Sequence, residues 1–523
     1  MKKFNTLFTV CAFLLSASIL KSAGVVYVVP GGTGSGSAWN DAMGDVQSAI
    51  NAASSGTDVW IQGGTYSVTT TISQKNGVDV YGSFAGTETS IEERPLSANG
   101  NPWDFTLPTI FDGGNQCRLM KSTSGVTTES IVDGITFING NGADASYQNN
   151  LGGALFIGTS FAVYQRCVFR NNSTPLNGGA INMTRGIIRQ CLIENNTATG
   201  ASSYGGGIYT NSGDLTLFEN CVIRGNYAYQ GGGIRAQGTA NMVSIKNSKI
   251  YDNESKDSGA GLSLTQIISE MSNCLIFNNE SQTDKASSVI TGGNVFNCTF
   301  VNNIGNIYFS SNTNAYQFTN NIVWGNEIST GASTVISGGS TNANLQFYNN
   351  ATGLTQATID GFSWQKADNI YLASYSDVHF KGNVQFKGLA ENEDQAYELE
   401  SIDLSILQTS PCFNTGKIIA GVTSDIIGVS RPQGTAYDIG AYEFPLGPGT
   451  LVVNQSETQS FRYMIENSGI KIIRDIAEDE ISIYAINGSR IFNSQMKNLE
   501  IYVPLTKGMY LVKVGNKVKK IVL

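Results

Sequence analysis

The stretch CVFRNNSTPLNGGAI (167–181) carries two signals, and each returns along the chain. Its Gly-Gly-Ala-Ile end (178–181) recurs as GGAL at 152–155, GGGI at 205–208 and 231–234, and GAGL at 259–262. Its Cys-to-Asn block recurs as CLIENN (191–196), CVIRGN (221–226), SKIYDN (248–253), CLIFNN (274–279), CTFVNN (298–303), NIVWGN (321–326) and LQFYNN (345–350). Three columns align on these blocks. The first is the closing asparagine: Asn172, Asn196, Asn226, Asn253, Asn279, Asn303, Asn326 and Asn350. The second lies two residues after each block start: Phe169, Ile193, Ile223, Ile250, Ile276, Phe300, Val323 and Phe347. The third lies three residues before it: Tyr164, Ile188, Phe218, Ile245, Met271, Val295 and Phe318.

A unit of roughly 25 residues with short alternating strands cannot bury its apolar side alone, so the copies must stack. Stacked in parallel about 4.8 Å apart, like residues form ladders around a narrow core. The glycines suit a sharp corner needing positive φ. The recurring asparagine tolerates left-handed geometry, and its amide can reach its copy in the next coil. A leucine-rich solenoid would need regular leucines, and a propeller a period nearer 40 residues. The reading is an all-β chain: a right-handed parallel β-helix of about ten or more coils.

Work outward from the repeat and the rest of the chain divides. Residues 1–23 begin with two lysines and continue with an apolar run too short to span a bilayer, the pattern of a secretory signal peptide. Residues 24–106 read as an N-terminal cap with the first coils, where Val46, Ala49, Ile50 and Ala53 give a helix one apolar face. The β-helix is expected over 107–444, a Pro/Gly linker over 445–450 and a small β-sandwich over 451–523, with Asn-Gly and Gly-Asn hairpin signals. No later stretch is long and apolar enough to be a transmembrane helix.

The GGA[ILV] and Phe-to-Asn motifs, here Gly178-Gly179-Ala180-Ile181 and Phe169 through Asn172, resemble the repeats of polymorphic outer-membrane proteins, secreted β-helix adhesins of the pectin-lyase-like fold. The resemblance covers roughly 110–350, and 410–417 with 425–444 resemble the segment that closes such helices. Lys507, Gly508, Tyr510, Val512 and Val514 resemble the C-terminal sorting domain of type IX secretion. These likenesses imply export to the medium or the outer-membrane surface of a Gram-negative bacterium, with the export machinery as a partner.

Function is narrowed more by exclusion. Net charge is −9, and the basic residues form no stripe, which argues against nucleic-acid binding. His379 is the single histidine, and no paired acids recur on adjacent coils, so no catalytic constellation or metal site stands out. Asp133 and Asp144 lie near a Gly-rich turn and would be the candidates for an inter-coil Ca²⁺, without a repeating Gly-Gly-x-Gly-x-Asp pattern to accompany them. The polar column Arg170, Glu194, Arg224 and Tyr251 should stack on one outward face, either as a surface charge ladder or as a contact for an anionic glycan. Tyr147, Tyr204, Tyr227 and Tyr229 fall between the asparagine and the Gly corner, where they could stack on sugars or simply on one another. Cys167, Cys191, Cys221, Cys274 and Cys298 share one inward column and read as buried thiols rather than disulfides. The leading reading is a non-enzymatic, adhesin-like binding protein for glycans. A polysaccharide lyase or glycoside hydrolase of the same fold, and a ligand-free spacer, are the alternatives.

Overall fold

The structure is a computed structural model. It describes residues 24–445 apart from 99, 124, 127–129, 144–149, 212–213, 239–242, 284, 327–335, 373–377 and 379–402. In the C-terminal part it describes 462–466, 469–473, 480–485, 490–495, 500–505, 509–514 and 517–522.

Each coil visits three faces. Strands such as Ala162–Gln165 and Gly186–Arg189 build face I, a 13-stranded sheet; Val168–Arg170 and Leu192–Glu194 belong to face II, with 12 strands; Leu155–Ile157 and Ile181–Met183 belong to face III, with 10. A short five-stranded sheet, including Ser173–Thr174 and Tyr227–Gln230, lies between face II and the Gly corner. All the pairings between these coils are parallel and nearly all stay in register, for instance Phe169 with Ile193 and Ile193 with Ile223. The result is the expected right-handed parallel β-helix, its connections following the usual hand.

The inward columns fill one continuous core. Phe137 and Phe169 stack at 4.9 Å, and Phe318 and Phe347 at 5.5 Å. The cysteine column is fully buried, and its fourth and seventh positions are instructive: Ser248 replaces cysteine between Cys221 and Cys274, and Asn321 follows Cys298. All seven described cysteines are free and buried. Each Sγ of the column donates to the carbonyl two residues back, as Cys191 does to Arg189 at 3.2 Å. Burial pushes the Cys221 thiol up to about 12.

Two sequence expectations need correction. The left-handed position and the ladder position are separate residues. Asn171, Asn195, Asp252, Asn278 and Asn302 take positive φ, while the following Asn172, Asn196, Asn253, Asn279 and Asn303 turn inward. There each amide donates to the next, as Asn196 Nδ2 does to Asn226 Oδ1 at 2.9 Å. The second correction concerns LQFYNN. Phe347 pairs with Phe318 on face I, and Asn350 accepts from Asn321 N at 2.9 Å, so this block belongs to the corner before face II. The asparagine ladder that starts at Asn172 ends at Asn326, and a second ladder runs Asn321, Asn350, Asn369.

Both ends of the core are plugged. Helix α1 (Val46–Ala52) buries Val46, Ala49 and Ile50, with Asp45 as its N-cap accepting from Ser48 N at 2.7 Å. At the far end, helix α2 (Gln356–Asp360) buries Ile359, and Trp364 closes over Phe347 with ring centroids 5.2 Å apart. The segment resembling a family closing sequence does something else. Residues 403–445 form a strap laid along the outside of face II, where Ile406, Cys412, Ile439 and Ala441 cover Tyr251, Phe277, Val301 and Ile322. Corner asparagines hold it: Asn273, Asn297 and Asn320 donate to the carbonyls of Ser424, Asp438 and Lys417 at 2.7, 3.0 and 2.7 Å.

The C-terminal strands form a three-stranded antiparallel sheet (Arg462–Glu466, Gly469–Ile473, Glu500–Pro504) and a four-stranded one (Arg490–Gln495, Glu480–Ala485, Met509–Val514, Lys517–Val522). Ile470, Ile472 and Val503 from one pack on Ile481, Ile483, Tyr510 and Val512 from the other, which makes a β-sandwich.

Candidate ligand-binding surface

On face II the centre of each three-residue strand points inward, so its third residue points out. The outward column therefore reads Arg170, Glu194, Arg224, Tyr251, Phe277, Val301, Trp324. It is charged over its first coils, where Arg170 is exposed while Val168, Leu192 and Glu194 are buried, and apolar where the strap covers it. The charged half is one connected unit. Arg170 Nε pairs with Glu194 Oε1; Arg224 Nη2 lies 2.7 Å and Nε 2.8 Å from Glu194 Oε2; Arg224 Nη1 donates to the Tyr251 hydroxyl at 2.9 Å. Tyr251 in turn stacks on Phe277 at 4.7 Å, so the strap's apolar floor anchors the end of the ladder.

Burial separates the three charges. The Glu194 side chain is 6% exposed, while those of Arg170 and Arg224 are 44% and 25% exposed. A carboxylate shut between two guanidiniums is satisfied, and one positive charge is left over. Among the described residues Arg170 bonds only through Nε, which directs its two Nη groups to solvent. Such a fork is suited to a planar carboxylate or sulfate.

Tyr204, Tyr227 and Tyr229 do not join this unit. Tyr227 opens the short-sheet strand Tyr227–Gln230 beside Thr197 and Glu254, while Tyr204 sits at the Gly corner bridged to Asn177 and Gln230. The ring of Tyr204 stacks with Tyr209 at 6.4 Å, and the Arg235 guanidinium lies over it at 4.8 Å. Tyr147, Asp144 and His379 lie outside the described residues. Asp133 is fully buried, with Arg94 at 3.1 Å on one oxygen and Arg166 at 2.6 Å on the other. A carboxylate clamped in that way has little left to offer calcium. Among the described residues no three His, Cys, Asp or Glu converge on a point where a metal could sit.

Sequence reasoning missed a second polar group, on the edge between face III and the short sheet. Arg235 donates to Gln230 Oε1 at 3.1 Å and Ser263 Oγ at 2.6 Å; Gln230 donates to Asp257 Oδ2 at 2.8 Å; Lys285 pairs with the other Asp257 oxygen. Burial lowers the Arg235 pKa and raises that of Tyr209. Burial also works against the Asp257 carboxylate, but Lys285 and Gln230 outweigh it and hold the group below its ordinary range. The signal was present: Gly-Gly-Gly-Ile-Tyr (205–209) and Gly-Gly-Gly-Ile-Arg (231–235) place Tyr209 and Arg235 in one column of successive coils.

No protein-family model matches the chain, and no curated protein matches it. Among solved structures the chain is similar to pectate lyase Pel9A, at 15% identity over 81% of this chain and 96% of that one, with a TM-score of 0.42. It is also similar to a rhamnogalacturonan lyase, at 14% identity over 66% of this chain and 87% of that one, with a TM-score of 0.35.

Proposed function

We propose that this chain is an exported, non-enzymatic protein that binds acidic polysaccharide at the charged end of the face II column. The observation that carries the reading is the Arg170–Glu194–Arg224 unit, in which a buried carboxylate fixes two arginines on a flat face and leaves one fork open to solvent. Both arginines are pre-organised by the sheet register, so little side-chain entropy is lost when an anionic sugar docks. Removal of the N-terminal signal peptide, after Ser18 or Gly24, and a sorting role for 451–523 belong to the same proposal, with a surface or secreted adhesin as its outcome.

Calorimetry with polygalacturonate and with a neutral mannan tests it. Polygalacturonate should bind, and Arg170→Ala and Arg224→Ala should each weaken it about tenfold or more, since charge-assisted bonds are worth about 1.5–3 kcal/mol. Equal binding of the two polymers would remove the argument.

A second reading, a polysaccharide lyase, draws on Tyr209 and Arg235, a buried phenol and a desolvated guanidinium on adjacent coils. Release of unsaturated uronate from polygalacturonate, abolished by Arg235→Ala, would put that reading first.

A further inference from the structure

The open ends of a β-helix carry unpaired strand edges, and the N-terminal cap deals with the three faces unequally. On face I the first strand, Gly24–Val28, is covered by the chain's own backbone: Tyr27 N donates to Gly36 O, Met43 N to Tyr27 O and Val29 N to Met43 O, each at 2.9 Å. On face III the first strand, Ile72–Ser73, is covered by a side chain imitating a peptide. Gln47 Oε1 accepts from Ser73 N at 2.7 Å, and Gln47 Nε2 donates to Ser73 O at 3.3 Å. On face II the first strand, Gly64–Ser67, pairs with Thr109–Asp112 on one side and has no partner on the other among the described residues.

The direction of its backbone follows from the pairing. Gly64 N donates to Pro108 O and Val68 N to Asp112 O, so the alternate residues Thr65 and Ser67 turn their N–H and C=O groups to the free side. That side is a groove of about 390 Å³ lined by Pro30, Gly31, Asp45, Gln47, Thr65 and Ser67, among others. The volume is that of a small-ligand site. Among the described residues Asp45 is the one charged side chain on its wall.

We propose that this groove receives an extended peptide of another protein as an added strand in front of Gly64–Ser67, with a Lys or Arg of that peptide set against Asp45. The added strand would continue a 12-stranded ladder that the chain already builds in one register. Its backbone would supply to Thr65 and Ser67 what Gln47 supplies to Ser73. This is strand addition, in which main-chain bonds give affinity and side-chain positions give selectivity. It is independent of the glycan reading, which concerns coils further along the same face.

The probe is a fluorescent hexapeptide, Lys-Thr-Val-Thr-Val-Lys, titrated by anisotropy against the mature full chain. Ser67→Pro removes an N–H that points away from the ladder, which an edge strand tolerates. The expected result is saturable binding that falls about tenfold in Ser67→Pro with an unchanged melting temperature. Should the proline variant melt early, the same peptide methylated on alternate backbone nitrogens is titrated against the unaltered protein, and about the same loss is expected. No binding at millimolar peptide, or binding indifferent to both changes, overturns the proposal.

Discussion

Replacing Asn226 by alanine tests the ladder at its middle. Its side chain makes four bonds in a fully buried site. Nδ2 donates to Ile193 O at 3.0 Å and to Asn253 Oδ1 at 2.9 Å, and Oδ1 accepts from Asn196 N at 3.0 Å and Asn196 Nδ2 at 2.9 Å. At about 1 kcal/mol net per bond the loss is about 4 kcal/mol, and the Asn196 N–H, left without an acceptor in a dry corner, adds about 1–2 kcal/mol more. Spread over residues 24–445 at about 2.1 cal/mol/K per residue, that is a fall of roughly 6 °C in melting temperature. Circular dichroism on heating and urea titration both measure it. Gln317→Ala, on an exposed position of face I, is the control and should stay within about 0.5 kcal/mol. A loss under about 1 kcal/mol for Asn226→Ala would refute the view that the buried amides are a structural spine.

Further outcomes follow from other sites. Gly179→Ala would set a Cβ 2.1 Å from Gly206 O and should cost about 3 kcal/mol or more, whereas at Gly158 the nearest atom is 3.5 Å away and alanine should be tolerated. Cys274→Ser should cost little, because Ser248 already fills the same column one coil earlier and accepts from Cys221 N at 3.1 Å. Asp438 gives the strap a pH dependence: burial, then the neighbouring Glu443, raises it from 3.8 to about 7 despite Arg431. A group raised in the folded state stabilises fully below its unfolded pKa, and that contribution is lost as pH climbs through about 7, up to about 4 kcal/mol in all. Cys412, buried under the strap, should therefore react faster with a thiol reagent at pH 8.5 than at pH 6 beyond its ordinary thiolate gain, and Asp438→Asn should flatten the difference in melting temperature between the two.

The inward ladders were legible because stacking forces one environment on like residues, so Phe169, Ile193 and Ile223 announce themselves. The misplacement of Asn350 has a physical cause. Both corners flanking face II use a left-handed residue followed by a buried one. Before face II that buried residue is mostly cysteine but becomes Asn321 and Asn350 in the last coils, so Asn349-Asn350 at one corner reads the same as Asn171-Asn172 at the other. Arg170, Glu194 and Arg224 were legible as a column, and the structure joins them. Their separation from Tyr204 was not, because sequence spacing gives position along the axis but not the angle around it. The strap was illegible as a cover: Ile439 and Phe277 meet across 162 residues with no repeat to link them.

That strap sets an order of events for a chain made from its N-terminus. Coils up to about residue 370 can close one upon another as they emerge, yet the stripe from Tyr251 to Trp324 stays wet and sticky until residues 403–445 arrive. A rod cut short near residue 400 would be complete in its interior and still prone to clump along one side.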